Sequence, residues 1–377
     1  MAELKHDERI STTKSLLMYL VRMGSFTSTP KILNEDRADS DLDIREKVTR
    51  EELMLKCKEE LSHLPLQIKR SFHYLQGLPA PEESTVDGVK PRDPESIRIM
   101  QWNVLSQSLG EKNDNFVACP KEALYWKSRR WRMLEEILTY EADILCFQEV
   151  DHFNFLKKTL EAIDFAGTFF PKPDSPCYYI KGNNGPDGCA IFYDTNKFDL
   201  LKTEIRILEI CSCQSNQVMI LCIFRRKSDG QEFCVATTHL KARQGVLLSS
   251  VRNEQGKDLL EFIRLHHDQR PVIITGDFNA EPSEPVYSTL TTCAELKLDS
   301  AYAYLSNQHA EPPYTTWKIR EEGEVCHTLD YIFFSKDTME LQSLLVFPCG
   351  EDIGEDRVPS YRYSSDHFSL VCDFRFK

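Results

Sequence analysis

From Ile97 to the carboxyl end, short runs rich in β-branched and aromatic residues alternate with segments whose apolar residues fall at helical spacing. The strand-like runs are Ile97–Val104, Ile144–Val150, Cys189–Tyr193, Phe233–Leu240, Val272–Phe278, Leu329–Phe334 and Phe368–Phe376. Between them, Trp131, Leu134 and Leu138, then Phe153, Leu156, Leu160 and Ile163, and later Leu259, Leu260 and Ile263 each mark one face of a helix. Strand and helix in this order define an α/β protein with helices covering the outside of a sheet.

Polar residues recur where these runs end: Asn103, Glu149, His239, Asp277 with Asn279, Asp330, and Asp366 with His367. Taken singly each has an ordinary reading, a solvated cap for Glu149 or an Asx turn for Gly276-Asp-Phe-Asn279. Packing gives no reason for strand after strand to finish in carboxylate, amide or imidazole, so together they point to a site. Oxygen donors suit a hard cation such as Mg²⁺, which takes one or two carboxylates and keeps several waters. No Cys/His spacing fits zinc, and no serine or cysteine nucleophile motif competes.

Charge narrows the partners. Lys and Arg number 46 against 59 Asp and Glu, a net charge of −13, which leaves no overall basic field to hold a long polyanion. A nucleotide must therefore meet a local basic pocket. The thirteen cysteines include no CxxC pair, and Cys146, Cys189, Cys222, Cys234 and Cys372 fall in apolar runs. They read as reduced core thiols of an intracellular protein. The apolar stretch Leu16–Val21 is too short to span a membrane. Glu3, Asp7 and Glu8 argue against a mitochondrial presequence while Lys14, Arg22 and the Ser/Thr run to Thr29 argue for one, so the cytoplasm is expected ahead of a mitochondrial form.

Residues 34–46 are dominated by charge and are expected to be disordered. Thr49-Arg-Glu-Glu52 forms a capping-box pattern ahead of Leu53, Met54, Cys57, Leu61 and Leu64, which predicts a helix ending at Pro65, packed on the main domain or in a local hairpin rather than held out as a partner or regulatory helix. Pro79, Pro81, Gly88, Pro91 and Pro94 then mark a linker. The expected division is 1–95, a poorly ordered extension with one amphipathic helix and a Pro-rich linker, and 96–377, the main domain. With no coiled-coil pattern, a monomer is expected.

Gln101-Trp-Asn-Val-Leu105, Phe147-Gln-Glu-Val150, Thr238-His-Leu240, Gly276-Asp-Phe-Asn279, Leu329-Asp-Tyr-Ile332 and Ser365-Asp-His367 are similar, in order, to the motifs of the exonuclease–endonuclease–phosphatase superfamily. Gly167–Cys177, Asn183–Ala190, His239–Arg243 and Tyr314–Arg320 resemble its deadenylase-related branch. The resemblance implies a four-layer, deoxyribonuclease I-like sandwich of two packed mixed sheets flanked by helices, with the site where strand ends of both sheets meet. It implies Glu149 as the direct Mg²⁺ ligand with Asn103 beside it, and Asp277 as the residue that orients and deprotonates water. By the same resemblance Asn279 and His367 donate to the phosphoryl group, Asp330 orients His367, His239 serves the phosphate or leaving oxygen, and Asp366 supports the metal from behind.

The leading substrate that the branch implies is the 2′-phosphate of NADP⁺ and NADPH. Contacts are expected from Lys172, Pro173, Asp174, Asn216, His239, Leu240, Lys241, Ala242 and Arg243, together with Glu149, Asp277, Phe278, Asn279 and His367. Removal of poly(A) by a 3′-exoribonuclease stands second. RNA tracking wants a basic groove lined with aromatics, and Tyr178, Tyr179 and Trp317 have no basic stripe beside them. A non-catalytic scaffold stands third, since Glu149, Asp277 and His367 are all present.

Overall fold

The computed structural model describes residues 45–75 and 92–377. The membrane and targeting readings before Thr29, nearly all of 34–46 and most of the proline-marked linker lie outside those residues. The strands are β1 (Phe72–Tyr74), β2 (Ile97–Asn103), β3 (Ile144–Val150), β4 (Phe165–Pro171), β5 (Gly188–Asp194), β6 (Phe198–Ile210), β7 (Cys213–Arg226) and β8 (Glu232–His239). They continue with β9 (Val272–Asp277), β10 (Leu298–Ser300), β11 (Thr316–Arg320), β12 (Gly323–His327), β13 (Asp330–Ser335), β14 (Met339–Leu345) and β15 (Leu370–Phe376). One mixed sheet runs β1-β14-β15-β2-β3-β5-β4, the other β10-β13-β9-β8-β7-β6, and β11-β12 is a separate hairpin.

Period-two alternation sorts each strand's residues between two cores. Ile97, Ile99, Ile144, Cys146, Phe233, Val235, Ile273, Ile332 and Leu370 meet between the sheets. Met100, Trp102, Leu145 and Phe147 point outward, where they are covered by residues of two helices, α1 (Arg50–Glu60) and α2 (Trp126–Tyr140). On the far side Ala236, Ile274 and Phe333 are covered by Leu259, Leu260 and Ile263 of α3 (Val246–His266). Helix, sheet, sheet, helix is the four-layer sandwich that the family resemblance implies. All thirteen cysteines are free, and burial pushes the thiols of Cys146 and Cys222 up to about 12.

The amino-terminal helix forms where its capping box places it. Thr49 accepts from the Glu52 backbone and Glu52 accepts in turn from Thr49 N, while Leu53 and Cys57 are buried on the main body. Beyond it, β1 pairs with β14, and the buried Arg70 bonds Glu136 at 3.2 Å and Ser369 O at 2.7 Å. A strand and a buried ion pair from before Ser96 are therefore integral to the first sheet. The pattern missed β1 because three residues carry no readable period.

Candidate active site at the strand ends

Alternation also builds the site. Gln101 and Asn103 share the inter-sheet face of β2 with Ile97 and Ile99, as Asp277 shares that of β9 with Ile273, and His239 that of β8 with Phe233 and Val235. The inter-sheet face is thus apolar at mid-strand and polar at one end. Register then aligns the polar ends: His239 pairs with Asp277, and Asp277 with Asp330. Gly276 allows the close approach of β8, since a Cβ there would stand 2.4 Å from Thr238 O.

Glu149 is the exception. Period two would send it outward with Phe147 and Leu145, away from the site. The β3–β5 pairing shifts register between Phe147 and Val150, and Glu149 adopts φ 57°. This bulge turns its carboxylate inward, where it accepts from Asn103 Nδ2 at 3.1 Å and Ser106 N at 3.2 Å.

Asn103 joins the two sheets. Its Nδ2 also donates to Asp277 at 2.9 Å, its Oδ1 accepts from Leu105 N, and its carbonyl accepts from Ser365 Oγ at 2.6 Å. Asp277 accepts from Asn279 N at 2.9 Å in an Asx turn, with Asn279 at φ 50°. Burial and the neighbouring Asp330 push the Asp277 carboxyl up to about 6.

His367 and His239 flank Asp277 in opposite charge states. Asp330 accepts from His367 Nδ1 at 2.8 Å and is itself held by Gln101 at 2.9 Å and Thr315 at 2.6 Å. Burial disfavours the His367 cation, but Asp330 and Asp366 outweigh it and push its pKa up to about 9. His367 is therefore a cation at neutral pH, with Nε2 3.8 Å from Asp277. Asn279 Nδ2 lies 2.9 Å from His239 Nε2, and Lys172 Nζ 3.4 Å from its Nδ1. Burial and the Lys172 cation hold His239 well below the ordinary range, so it is neutral.

Lys172 is itself buried and pairs with Asp187 at 2.6 Å; burial opposes its charge, and Asp187 and Glu149 more than restore it. Asp174 N donates to Asn216 Oδ1 at 2.7 Å and its carbonyl accepts from Asn216 Nδ2, so Asn216 ties the 172–174 loop down. Lys241, Ala242 and Arg243 are exposed. Leu240 and Phe278 pack in the core under α3 with their N–H groups bonded to Asp277 O and Leu329 O, and Pro173 is buried, so the expected contacts from these three side chains are not presented to a ligand. Asp366 is ion-paired to Lys318 and lies 3.7 Å from Arg320, and these cations hold its carboxyl far below the usual range against the effect of burial.

Several supporting residues escaped the sequence reading. Gln101, Thr315, Lys318 and Asp187 all lie inside the matched motifs, but a further amide, hydroxyl, cation or carboxylate beside an assigned residue carries no separate signal. Arg252 and Gln255, one turn apart on α3, are the larger omission. Arg252 donates to Lys241 O at 3.0 Å and Arg243 O at 2.7 Å, backed by Glu284 at 2.8 Å, and Gln255 accepts from Lys241 N. A polar pair in an amphipathic helix reads as surface until the loop above it is seen.

Two packed mixed sheets with carboxylates, amide and imidazoles gathered at their strand ends define a class of hydrolase fold, and residues 100–367 match the model of the Endonuclease/Exonuclease/phosphatase family. The chain belongs to that family. Among its relatives are nocturnins: it is 47% identical to the Drosophila melanogaster protein over 96% of this chain and 61% of that one. It is 46% identical to the Homo sapiens protein over 88% and 74%. The chain thus spans about three-fifths of the fly relative's length. The solved human nocturnin catalytic domain with bound sulfate anion superposes with a TM-score of 0.66 at 39% identity, covering 82% of this chain and 98% of that one.

Proposed function

We propose that this chain is a Mg²⁺-dependent phosphatase that removes the 2′-phosphate of NADP⁺ and NADPH, releasing NAD⁺ or NADH and phosphate. The observation that carries the reading is the compact cationic grip beside His239: Lys172 buried within 3.4 Å of its ring, and exposed Lys241 and Arg243 on the next loop. Lys172 and Lys241 both act on His239, and Arg243 acts in turn on Lys241, a cluster of cations that suits the grouped phosphates of a dinucleotide. A net charge of −13 disfavours tracking along a long RNA. The human nocturnin catalytic domain, which holds a sulfate anion, is a further parallel.

The donor set fits a hard cation at Glu149. Its carboxylate is half-buried, oriented by Asn103 and Ser106, and has no ion-pair partner among the described residues. Ligand atoms of Asp277, Asp330 and His367 also lie within 4.8 Å of one another. That group is the poorer cage, because His367 Nδ1 is committed to Asp330 and the ring is protonated. Bound at Glu149, Mg²⁺ would neutralise charge on the phosphoryl oxygens.

The remaining chemistry belongs to the chain. Phosphoryl transfer needs charge stabilised and water held in line rather than a covalent intermediate. Asp277, deprotonated above about pH 6, takes the proton of the attacking water. His367, still protonated below about pH 9, donates from Nε2 to a phosphoryl oxygen; the Asn279 amide, which donates to Leu240 O at 3.1 Å and lies 2.9 Å from His239 Nε2, would exchange one of these partners to join it. Neutral His239 gains a proton more readily once a phosphate dianion lies beside it, and then serves the departing 2′-oxygen. Asp366, neutralised by Lys318, sets the far wall.

The reading extends to a monomer acting in the cytoplasm; among the described residues no helix is long and apolar enough to cross a membrane. The test is to incubate purified protein with Mg²⁺ and either NADPH or short poly(A), with Glu149→Ala as control. Phosphate from NADPH alone, lost in the variant, supports the dinucleotide phosphatase. AMP from poly(A) with NADPH untouched would replace it by the exoribonuclease reading.

A further inference from the structure

Arg70, Arg98 and Arg252 are buried arginines that each meet a carboxylate, Glu136, Asp373 and Glu284, at 3.2, 2.7 and 2.8 Å. Arg129, on α2, is 1% exposed and meets none among the described residues. Its partners are main-chain carbonyls: Nε donates to Ser364 O at 2.7 Å, and Nη2 to Val104 O at 2.7 Å and to Leu105 O. Its Nη1 is buried with no partner. A buried cation without a counter-ion is expensive, and single-residue neutral donors would satisfy the same carbonyls at lower cost.

The two segments that it joins are the reason to keep it. Val104 and Leu105 follow Asn103, and the next backbone N–H, that of Ser106, donates to Glu149. Ser364 precedes Ser365, whose hydroxyl bonds Asn103 O, and then Asp366 and His367. Arg129 thus stands under the junction between the loop that orients Glu149 and the loop that presents His367. We infer that Arg129 is a positioning residue for phosphoester hydrolysis, a charged clamp whose planar fork fixes the 103–106 loop against the 364–367 loop. With no carboxylate in contact among the described residues, and Asp151, Asp366 and Glu111 acting on it only at longer range, its charge adds positive potential beneath a site that receives an anion, so part of the cation's cost is offset when phosphate binds. The inference rests on the proposed hydrolysis at this site.

The test uses the full chain and the variants Arg129→Ala and Arg129→Lys. With NADPH and Mg²⁺, Arg129→Ala is expected to lose about 10²-fold in kcat with KM changed by less than about three-fold, because the rim that grips the substrate is untouched. Free guanidinium below denaturing concentration should restore part of that kcat by refilling the cavity, and urea, planar but neutral, should not. A generally loosened protein gains nothing from guanidinium. Unchanged kcat, or rescue by urea equal to rescue by guanidinium, overturns the charged clamp. Should Arg129→Ala fail to fold, Arg129→Lys keeps the charge without the fork; a roughly ten-fold fall in its kcat is expected, and wild-type kcat overturns the inference. If wild-type protein releases no phosphate from NADPH, the substrate reading has failed instead. Amide exchange then decides on Arg129: joint loss of protection at 103–106 and 364–367 in Arg129→Lys supports the clamp, and unchanged protection at either overturns it.

Discussion

The two sides of the site are built by different means. On one side Asp277, Asp330, Asp366 and His367 are buried at 1–4% exposure in a closed network spanning both sheets. On the other, Lys241, Ala242 and Arg243 stand exposed on a loop held from beneath by Arg252 and Gln255. Buried strand ends cannot move without disturbing a sheet, so they hold groups whose proton positions matter. The loop can change its side chains without touching the core, so on the proposed reading it is where substrate choice is set. The proposed function thus divides chemistry and recognition between the two flanks of His239.

Substitutions on each side should separate in kinetics. Asp277→Asn removes the water's base and should cost about 10²–10³ or more in kcat with little change in KM for NADPH, read by steady-state phosphate release. The same variant should raise Tm, because a neutral amide beside Asp330 escapes both the burial cost and the repulsion that push Asp277 up to about 6. A fall in Tm would show that Asp277 is structural first.

Arg252→Met should do the reverse, raising KM for NADPH about ten-fold at near wild-type kcat, because it frees the carbonyls of Lys241 and Arg243. Equal loss of kcat would place the loop within the chemistry and break the division.

The pH profile sharpens the buried side. Activity should fall below about pH 6 as Asp277 is protonated and above about pH 9 as His367 loses its proton. Burial alone would depress His367, and the Asp330 carboxylate does most to raise it, so Asp330→Asn should move the alkaline limb down towards the ordinary histidine value. An alkaline limb that stays near pH 9 would mean another group titrates there. The raised His367 also contributes stability that is full below its ordinary value near 6.5 and lost as pH rises through about 9. The smallest effect expected is salt: added KCl should raise KM slightly through the exposed rim and leave kcat unchanged.

Much of this was legible in the sequence, for physical reasons that vary by element. The strands β2, β3, β8, β9 and β13 are apolar runs buried on both faces, so composition marks them and their polar ends mark the site. By contrast β6 is a thirteen-residue edge strand whose outer positions Glu204, Arg206 and Glu209 blur its period. Glu149 was marked by its place at a strand end and by its motif; alternation would have sent it to the wrong face, and only the bulge explains its direction. Arg129 and Arg252 were invisible because a helix pattern cannot distinguish a buried arginine from a solvated one. Their partners are backbone carbonyls of loops more than a hundred residues away, or across a turn, which no side-chain pattern records.

The division of labour is tested most directly by measuring kcat and KM for NADPH hydrolysis in the double variant Lys241→Met/Arg243→Met beside wild type at pH 7.5 (about midway between the two limbs). The account predicts a KM raised by about 10–100-fold with kcat within about three-fold of wild type, as expected when binding shared by ground and transition states is removed. A kcat that falls in step with the loss of affinity would contradict it, and would mean that the exposed cations act on the transition state together with Asp277 and His367.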